Sequence, residues 1–330
     1  MRVLITGATG FIGRFLAKQC LESGCDVLGM GTESPGEEWP KARFEYCDVR
    51  HRTRFQDLIT TFRPERIFHL AAQSYPTVSL EQPYETMEIN AGGTINLFEC
   101  LRTAGIRPMV VVACSSAEYG PVDSRDLPVK EEHPLRPVHP YGVSKVAQDL
   151  LGAQYWIHYS LPCVRIRIFN TTGPSKLGDV CSDLTKRATE IELGIRPPVL
   201  PAGNLTSRRA IIDVRDTARA LWLAADRCEA GEVYNVGAHR IYAVSELIET
   251  VRSLAGIRFT VQRDESLVRS CDEPVIAGDI SKFHRATGWK AEIDLVGTIR
   301  EMFDWWRHKL TRLATGLHHK PGAVATDLVI

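Results

Sequence analysis

No excess of charge of either sign marks this chain: its 330 residues hold 40 lysines and arginines against 40 aspartates and glutamates. A zero net field excludes long-range recruitment of nucleic acid, an anionic membrane or an acidic partner, so any bound anion must be met by a local cluster. Paired cysteine spacings are missing too. The nine cysteines include no C-x-x-C pair, which argues against zinc and disulfide frameworks and predicts reduced thiols and no metal site. No window holds about eighteen apolar residues in succession, so no membrane-spanning helix is expected. The chain opens directly on MRVLITG, without the basic and apolar regions of a signal peptide, and a cytoplasmic location follows as an expectation. Internal repeats are absent, and His318 and His319 read as solvated neighbours rather than ligands.

What is present is a rhythm. Nearly all-apolar strand-like runs (RVLITG, DVLGM, RIFHLAA, MVVVACSS) alternate with helical patterns through the first half. Apolar strands separated by helices imply a parallel sheet covered on both faces. The fold class is α/β, a Rossmann-type doubly wound parallel sheet with a smaller C-terminal α/β substrate lobe. After LPCVRIRIFN the rhythm breaks into Pro- and Gly-rich loops, and two later elements, DVRDTARALWLAADR and EVYNVG, return to the first sheet. The predicted domains are therefore 1–167 plus 211–239 for the sheet domain and 168–210 plus 240–312 for the lobe. The tail 313–330 has no periodicity and is expected to be poorly ordered.

Between the first strand and its helix lies Gly7-Ala8-Thr9-Gly10-Phe11-Ile12-Gly13. Glycines so spaced allow a tight turn and close approach of a pyrophosphate, while the helix start offers free N–H groups to phosphate. The context, directly after an apolar strand, is the one a dinucleotide cradle requires. The carboxylate that grips both ribose hydroxyls of NAD is due near Met30-Gly31 and is missing, with Glu33 further along. Arg14, just past the last glycine, can supply positive charge to a 2′-phosphate, so NADP(H) is favoured over NAD(H).

In Tyr141-Gly142-Val143-Ser144-Lys145, tyrosine and lysine four apart share one helix face. A neighbouring ammonium stabilises a phenolate and is expected to lower the tyrosine pKa, making it a usable acid. Ser115 closes the strand MVVVACS, at the carboxyl edge where α/β sheets place their chemistry. There its hydroxyl can hydrogen-bond a substrate oxygen and the tyrosine.

Taken together, the glycine loop, Asp48-Val49, Leu70-Ala71-Ala72, Asn90, Ser115, Tyr141-x-x-x-Lys145 and Phe169-Asn170 resemble the extended short-chain dehydrogenase/reductase family. This is the family of NAD(P)-dependent sugar-nucleotide epimerases, dehydratases and reductases, and the resemblance covers roughly residues 1 to 310. It implies that Ser115, Tyr141 and Lys145 are catalytic, with Tyr141 exchanging the proton. It also implies cofactor contacts from Gly7, Gly10, Phe11, Ile12, Gly13, Arg14, Asp48 (near the adenine), Val49, Leu70, Ala71, Ala72 and Asn90, with Tyr141 and Lys145 at the nicotinamide ribose. The small lobe would hold a nucleotide-diphosphate sugar, and the subunits would pair as a homodimer through helices near 92–103 and 142–159.

Local strings, among them HLAAQS, SSAEYG, PLRPVHPYGVSK, RSCDEPVIAGD and ATGWK, are most similar to the branch of GDP-4-keto-6-deoxy-mannose reductases and GDP-mannose 4,6-dehydratases. On that likeness Gln73, Ser74, Ser116, Asn170, Arg209 and Arg269 would contact the substrate. A dehydratase carries a glutamate two residues before the tyrosine of the strand-end motif; here Ala117 stands there, and alanine moves no proton. Glu118 would face the other way if the segment stays extended. The reading is NADPH-dependent reduction of the C4 ketone of a nucleotide-diphosphate sugar, GDP-linked by resemblance. The alternative is a 4-epimerase with tightly bound NAD, ahead of a 4,6-dehydratase or a retired cofactor-binding protein. Thr32, where an arginine would suit NADP, and Ala210, in place of an aspartate, depart from the reductase pattern.

Overall fold

Successive side chains of a strand point to opposite faces, so a strand apolar throughout must be covered on both. Val3 and Ile5 of the first strand enter one core with Leu16, Phe68, Val111, Ile166 and Leu221. Leu4, between them, enters a second core with Met30, Ile59, Phe98 and Val112. The computed structural model describes residues 1–36, 39–238, 240–267 and 275–316, and it divides into two compact units.

The first unit comprises Met1–Thr171, Ser207–Ala243 and Ser270–Ile293. Its strands β1 (Arg2–Thr6), β2 (Asp26–Gly31), β3 (Arg43–Tyr46), β4 (Arg66–His69), β5 (Met109–Ser115) and β6 (Cys163–Ile168) join the strand Val233–Val236 in one seven-stranded sheet. From one edge the order is Val233–Val236, β6, β5, β4, β1, β2, β3, and every pairing is parallel. The order reverses between β1 and β4, which opens the crevice where doubly wound sheets bind ligands. Helices α1 (Phe11–Glu22), α2 (Arg52–Phe62), α3 (Pro76–Glu81), α4 (Pro83–Met87), α5 (Gly93–Ala104) and α6 (Pro140–Tyr159) fill the connections. The Rossmann-type class predicted from the alternation is the observed one.

The second unit comprises Thr172–Thr206, Val244–Arg269 and Asp294–Ile330. It contains α7 (Val180–Glu192), and the first unit then resumes with α8 (Val214–Arg227). α9 (Val244–Ala255) belongs to the second unit, α10 (Ser281–Thr287) to the first and α11 (Leu295–Gly316) to the second. In the second unit Val199–Ala202 and Thr260–Arg263 form a parallel pair, and Leu184, Leu247, Val251, Ile299 and Phe303 are buried.

The division differs from the 168–210 plus 240–312 lobe expected of the sequence. Arg208–Ala210 pairs with Ile241–Ala243 and with Val275–Ile276, all within the first unit. Trp289 is buried there and donates its indole N–H to the Asp216 carbonyl of α8 at 3.1 Å. These bonds tie residues 275–293 to the sheet domain. α11 runs on to Gly316, so the first residues of the expected tail are helical; 317–330 lie outside the described residues.

Candidate active site

The glycine loop leaves β1 where Gly7 takes φ +66°, a left-handed conformation that costs a side-chain-bearing residue free energy. A Cβ there would lie 2.7 Å from the Ala71 nitrogen, and one at Gly13 would lie 2.5 Å from the Gly7 carbonyl oxygen. The loop, the end of β4 and the start of α1 therefore close on one another only because side chains are absent. Gly10 caps α1 with no side-chain hydrogen bond, leaving the helix start to present its amides. This cradle fits a dinucleotide pyrophosphate. Arg14 folds back so that its guanidinium donates to the Thr9 carbonyl at 2.9 Å.

Across the switch point a buried polar chain connects β1 to α6. The Thr6 hydroxyl meets His69 Nδ1 at 2.8 Å, and His69 Nε2 meets the Thr94 hydroxyl at 3.0 Å. Thr94 donates to the Asn90 carbonyl at 2.6 Å and accepts from Gln148 at 2.8 Å. Since Thr94 spends its own proton on Asn90, His69 Nε2 must be the protonated nitrogen and Nδ1 the acceptor of the Thr6 hydroxyl. Thr6 in turn accepts the Ala71 N–H at 3.2 Å. Burial, with the nearby Lys145 charge, pushes His69 down to about 3, so the ring is neutral at ordinary pH.

Asn90 lies in a π-turn, Glu88–Gly92, between α4 and α5. Its carboxamide accepts the Gln73 N–H at 2.8 Å and donates to the Gln73 carbonyl at 3.0 Å and to Ser144 Oγ at 2.8 Å. Ser144 donates to the Tyr141 carbonyl at 2.7 Å. The first turn of α6 is thus held from behind. Its N-terminus is fixed by Pro140 at the first turn and by His139, whose Nδ1 accepts the Gly142 N–H at 3.0 Å. His139 also stacks on Tyr141, ring centroids 5.8 Å apart. Proline at a helix start makes the preceding residue the cap, so Pro140 is the sequence signal by which this cap could have been found.

Ser115, Tyr141 and Lys145 come together at the carboxyl edge of β5. Ser115 is 8% exposed, and its side chain neighbours the Tyr141 phenol closely enough to lower its pKa. The Lys145 ammonium lies 5.8 Å from the Tyr141 ring centroid and donates to the Ala113 carbonyl at 2.9 Å. The expected acidified phenol is not what this geometry yields. Withdrawal from water pushes Tyr141 up to about 12, against the Ser115 side chain that pulls it down, and Glu118 and Cys114 add to the rise. Burial pushes Lys145 down to about 8, with Cys114 and Glu118 drawing it partly back. Desolvation exceeds the pairing that the four-residue spacing suggested.

Beneath the triad lies a network that sequence reasoning missed. Residues 116–118 form a 3-10 turn rather than an extended segment, and Glu118 is wholly buried. Asp149, one turn beyond Lys145, accepts from Arg165 at 2.6 Å and from Arg167 at 2.8 Å. Arg167 also donates to the Tyr119 hydroxyl and to the Glu131 carbonyl, both at 2.9 Å. Tyr119 donates to Asn235 at 2.7 Å. Potential ligand atoms of Cys114, Glu118 and Asp149 lie within 4.8 Å of one another, but two guanidiniums in the same space make it a poor cation site. The alternating arginines of RIRIF were the available signal, because two charges on one face of a central strand must be paired.

Among the other predicted residues, Asp48 follows β3 and is bound by Arg50, which holds its carboxyl below the usual range. Val49 is buried and would meet a Cβ on Gly93 at 2.5 Å. Leu70, Ala71 and Ala72 follow β4 against the glycine loop, and Leu70 N–H donates to the Thr6 carbonyl at 3.2 Å. Gln73 donates its side-chain amide to the Tyr75 carbonyl of its own loop and to Thr86 of α4. Ser74 is exposed, whereas Ser116 is buried at the start of the 3-10 turn. Asn170 carries a buried Nδ2 without a hydrogen-bond partner, a donor fit for a substrate oxygen. Arg209 is half-buried on its strand and donates to the Arg208 carbonyl at 2.9 Å. Arg269 lies outside the described residues. No helix among the described residues is long and apolar enough to cross a membrane.

Comparison with known proteins gives this arrangement its relatives. The GDP-mannose 4,6 dehydratase family model matches residues 4–302. A GDP-6-deoxy-D-mannose reductase of Pseudomonas aeruginosa is 26% identical over 94% of this chain and 98% of its own. The structure of RMD from Pseudomonas aeruginosa complexed with NADPH superposes with TM-score 0.81 at 27% identity, covering 93% and 99% of the two chains. The UDP-glucose 4-epimerase of Thermus thermophilus, in complex with NAD, superposes with TM-score 0.82 at 30% identity, covering 93% and 99%. The chain belongs to the extended short-chain dehydrogenase/reductase family of sugar-nucleotide epimerases, dehydratases and reductases, whose members are NAD(P)-dependent enzymes.

Proposed function

We propose that this member of the family is a reductase that converts the C4 ketone of a GDP-linked 4-keto-6-deoxy sugar to an alcohol with NADPH. The observation that carries the reading is Ala117 beside a complete Ser115, Tyr141 and Lys145. The position where a dehydratase needs an acid is inert, and Glu118, the adjacent acid, is wholly buried against Ser115 and Arg167. Ser115 polarises the ketone oxygen, and Tyr141 gives its phenolic proton to the alkoxide oxygen at C4. Reduction starts from a protonated phenol, the form that burial of Tyr141 favours. The phenolate left behind is stabilised by the Lys145 ammonium and regains its proton from solvent.

The glycine loop, the amides at the start of α1 and the residues after β3 and β4 would hold the cofactor, which supplies the hydride when bound. The absence of a carboxylate directly after β2 supports NADP(H) over NAD(H), with Arg14 at the loop as the candidate partner of a 2′-phosphate. Asn170, Arg209 and Arg269 are proposed for the diphosphate and sugar. A homodimer through α5 and α6 is supported by exposed apolar side chains seven residues apart on α6, Val143, Leu150 and Ile157, with Ile95 on α5.

The alternative, a nucleotide-sugar 4-epimerase that retains NAD, needs the same three side chains and is supported by the 30% identity to the Thermus thermophilus enzyme. The test offers GDP-, UDP-, CDP- and dTDP-linked 4-keto sugars with NADPH and follows loss of dihydronicotinamide absorbance. Consumption with the GDP sugar, reduced about 10²- to 10⁴-fold by Tyr141→Phe, is the expected result. Protein that carries bound NAD, consumes no NADPH and interconverts C4 epimers would establish the alternative. A Tyr141→Phe variant indistinguishable from the parent with every sugar would leave only a cofactor-binding protein.

A further inference from the structure

The buried acid pair behind Ser115 is more than the fold requires. Asp149 already accepts from both strand arginines, one carboxylate oxygen to each. Glu118 adds a second carboxyl in the same pocket. Its Oε1 accepts the Ser115 N–H at 2.7 Å, while the Ser115 hydroxyl accepts the Ala117 N–H at 3.2 Å, a reciprocal box that sets the orientation of Ser115. Its Oε2 is buried with no hydrogen-bond donor. Arg167 Nε is 3.2 Å away but is aimed at Asp149, and Nη1 is taken by Tyr119 and the Glu131 carbonyl.

Charge alone would tolerate a second anion here, since two arginines face two carboxyls. Hydrogen bonding does not, because a buried carboxylate oxygen that accepts nothing has lost its hydration without a replacement. A proton on Oε2, donated to Asp149, removes the orphan and separates the two acids at once. Such an acid pair titrates as a unit.

We propose that Glu118 is a positioning residue for Ser115 that acts as a carboxylic acid, its Oε2 proton shared with Asp149. Loss of that proton to alkaline solvent loosens the turn that aims the serine hydroxyl. The groups facing Glu118 are Cys114 from β5, Tyr141, Lys145 and Asp149 from α6, Arg165 and Arg167 from β6, and Tyr119 with His133 beyond it. Burial, the dominant influence, together with Asp149 raises Glu118 to about 8, against Arg167 and the Ser115 N–H. Ionised Glu118 would also act on the reacting groups, since its charge raises both Tyr141 and Lys145.

The positioning role rests on the reading of Ser115 as the group that polarises the ketone, so the test separates the two. The amide resonance of Ser115 is followed in ¹⁵N-labelled full-length protein from about pH 6 to about pH 10, in the parent and in Glu118→Gln. The expected parent resonance titrates with a midpoint near 8, and the Glu118→Gln resonance stays flat. In the same window the thermal midpoint of the parent falls relative to that of the variant. The ratio of NADPH turnover at about pH 9 to that at about pH 7 rises at least about threefold in the variant, because its side chain cannot ionise. A Ser115 amide that does not titrate in the parent, or titrates equally in both proteins, overturns the proposal. A titrating amide with an unchanged activity ratio overturns the positioning role. Should Glu118→Gln fail to fold, a parent amide that stays flat across the window still overturns the proposal, and Glu118→Asp replaces Glu118→Gln as the variant whose midpoint must move. Should no nucleotide sugar be turned over, the reductase reading falls and the resonance still decides the state of Glu118.

Discussion

Lys145→Met should make the folded chain more stable while removing its chemistry. Lys145 is 3% exposed, and burial moves its ammonium from 10.5 to about 8. That interval corresponds to roughly 3 kcal/mol of unfavourable free energy in the charged form near neutrality. Methionine keeps the length of the stem and loses the donation to the Ala113 carbonyl, worth about 1 kcal/mol. The net gain is then about 2 kcal/mol, or about 3 °C in thermal midpoint for a chain of this length. The sign with pH follows from linkage. Between about 8 and 10.5 the folded lysine holds fewer protons than the unfolded one, so parent stability climbs with pH in that window and the destabilisation is full below it. The methionine variant should therefore lead at about pH 7 and lose its lead towards about pH 10. Differential scanning fluorimetry at the two values, beside an NADPH turnover assay expected to fall at least about 100-fold, checks both halves. A variant less stable than the parent at about pH 7, or a lead that does not shrink with pH, would refute the reasoning.

Gly7→Ala places a methyl 2.7 Å from the Ala71 nitrogen at a positive φ. Strain and overpacking together should destabilise by about 2 to 5 kcal/mol, and NADPH affinity measured by fluorescence titration should fall at least about tenfold. Ile157→Glu, at a side chain 76% exposed on α6, should leave the monomer folded and shift a dimer to monomer in light scattering; an unchanged mass would remove α6 from the interface.

Much of this was legible in the chain because period and punctuation are local properties. The apolar strands, the glycine turn at residue 7 and the common face of Tyr141 and Lys145 each need only neighbours in sequence. The state of those side chains does not. The four-residue spacing correctly brings an amine near the phenol, but whether the amine or the lost water dominates depends on β5, the 3-10 turn and β6 closing around them. Glu118 shows the same limit. An extended reading turned it away from Ser115, and a single tight turn, invisible to alternation, brought its carboxyl back to the serine N–H. Residues 275–293 looked like part of a second lobe because a strand as short as Val275–Ile276 has no periodicity to declare its partner.

His69, fixed between two threonines with its proton on one nitrogen, bears on how the molecule meets acid. From about pH 6.5 down towards about 3 an unfolded chain takes up a proton that the folded ring refuses. Acidification therefore works on the seam between β1 and β4, the same edge from which the glycine turn springs. Retention of a dinucleotide and survival of the sheet should then fail in one transition, so a molecule that has let go of its coenzyme in mild acid has already begun to come apart.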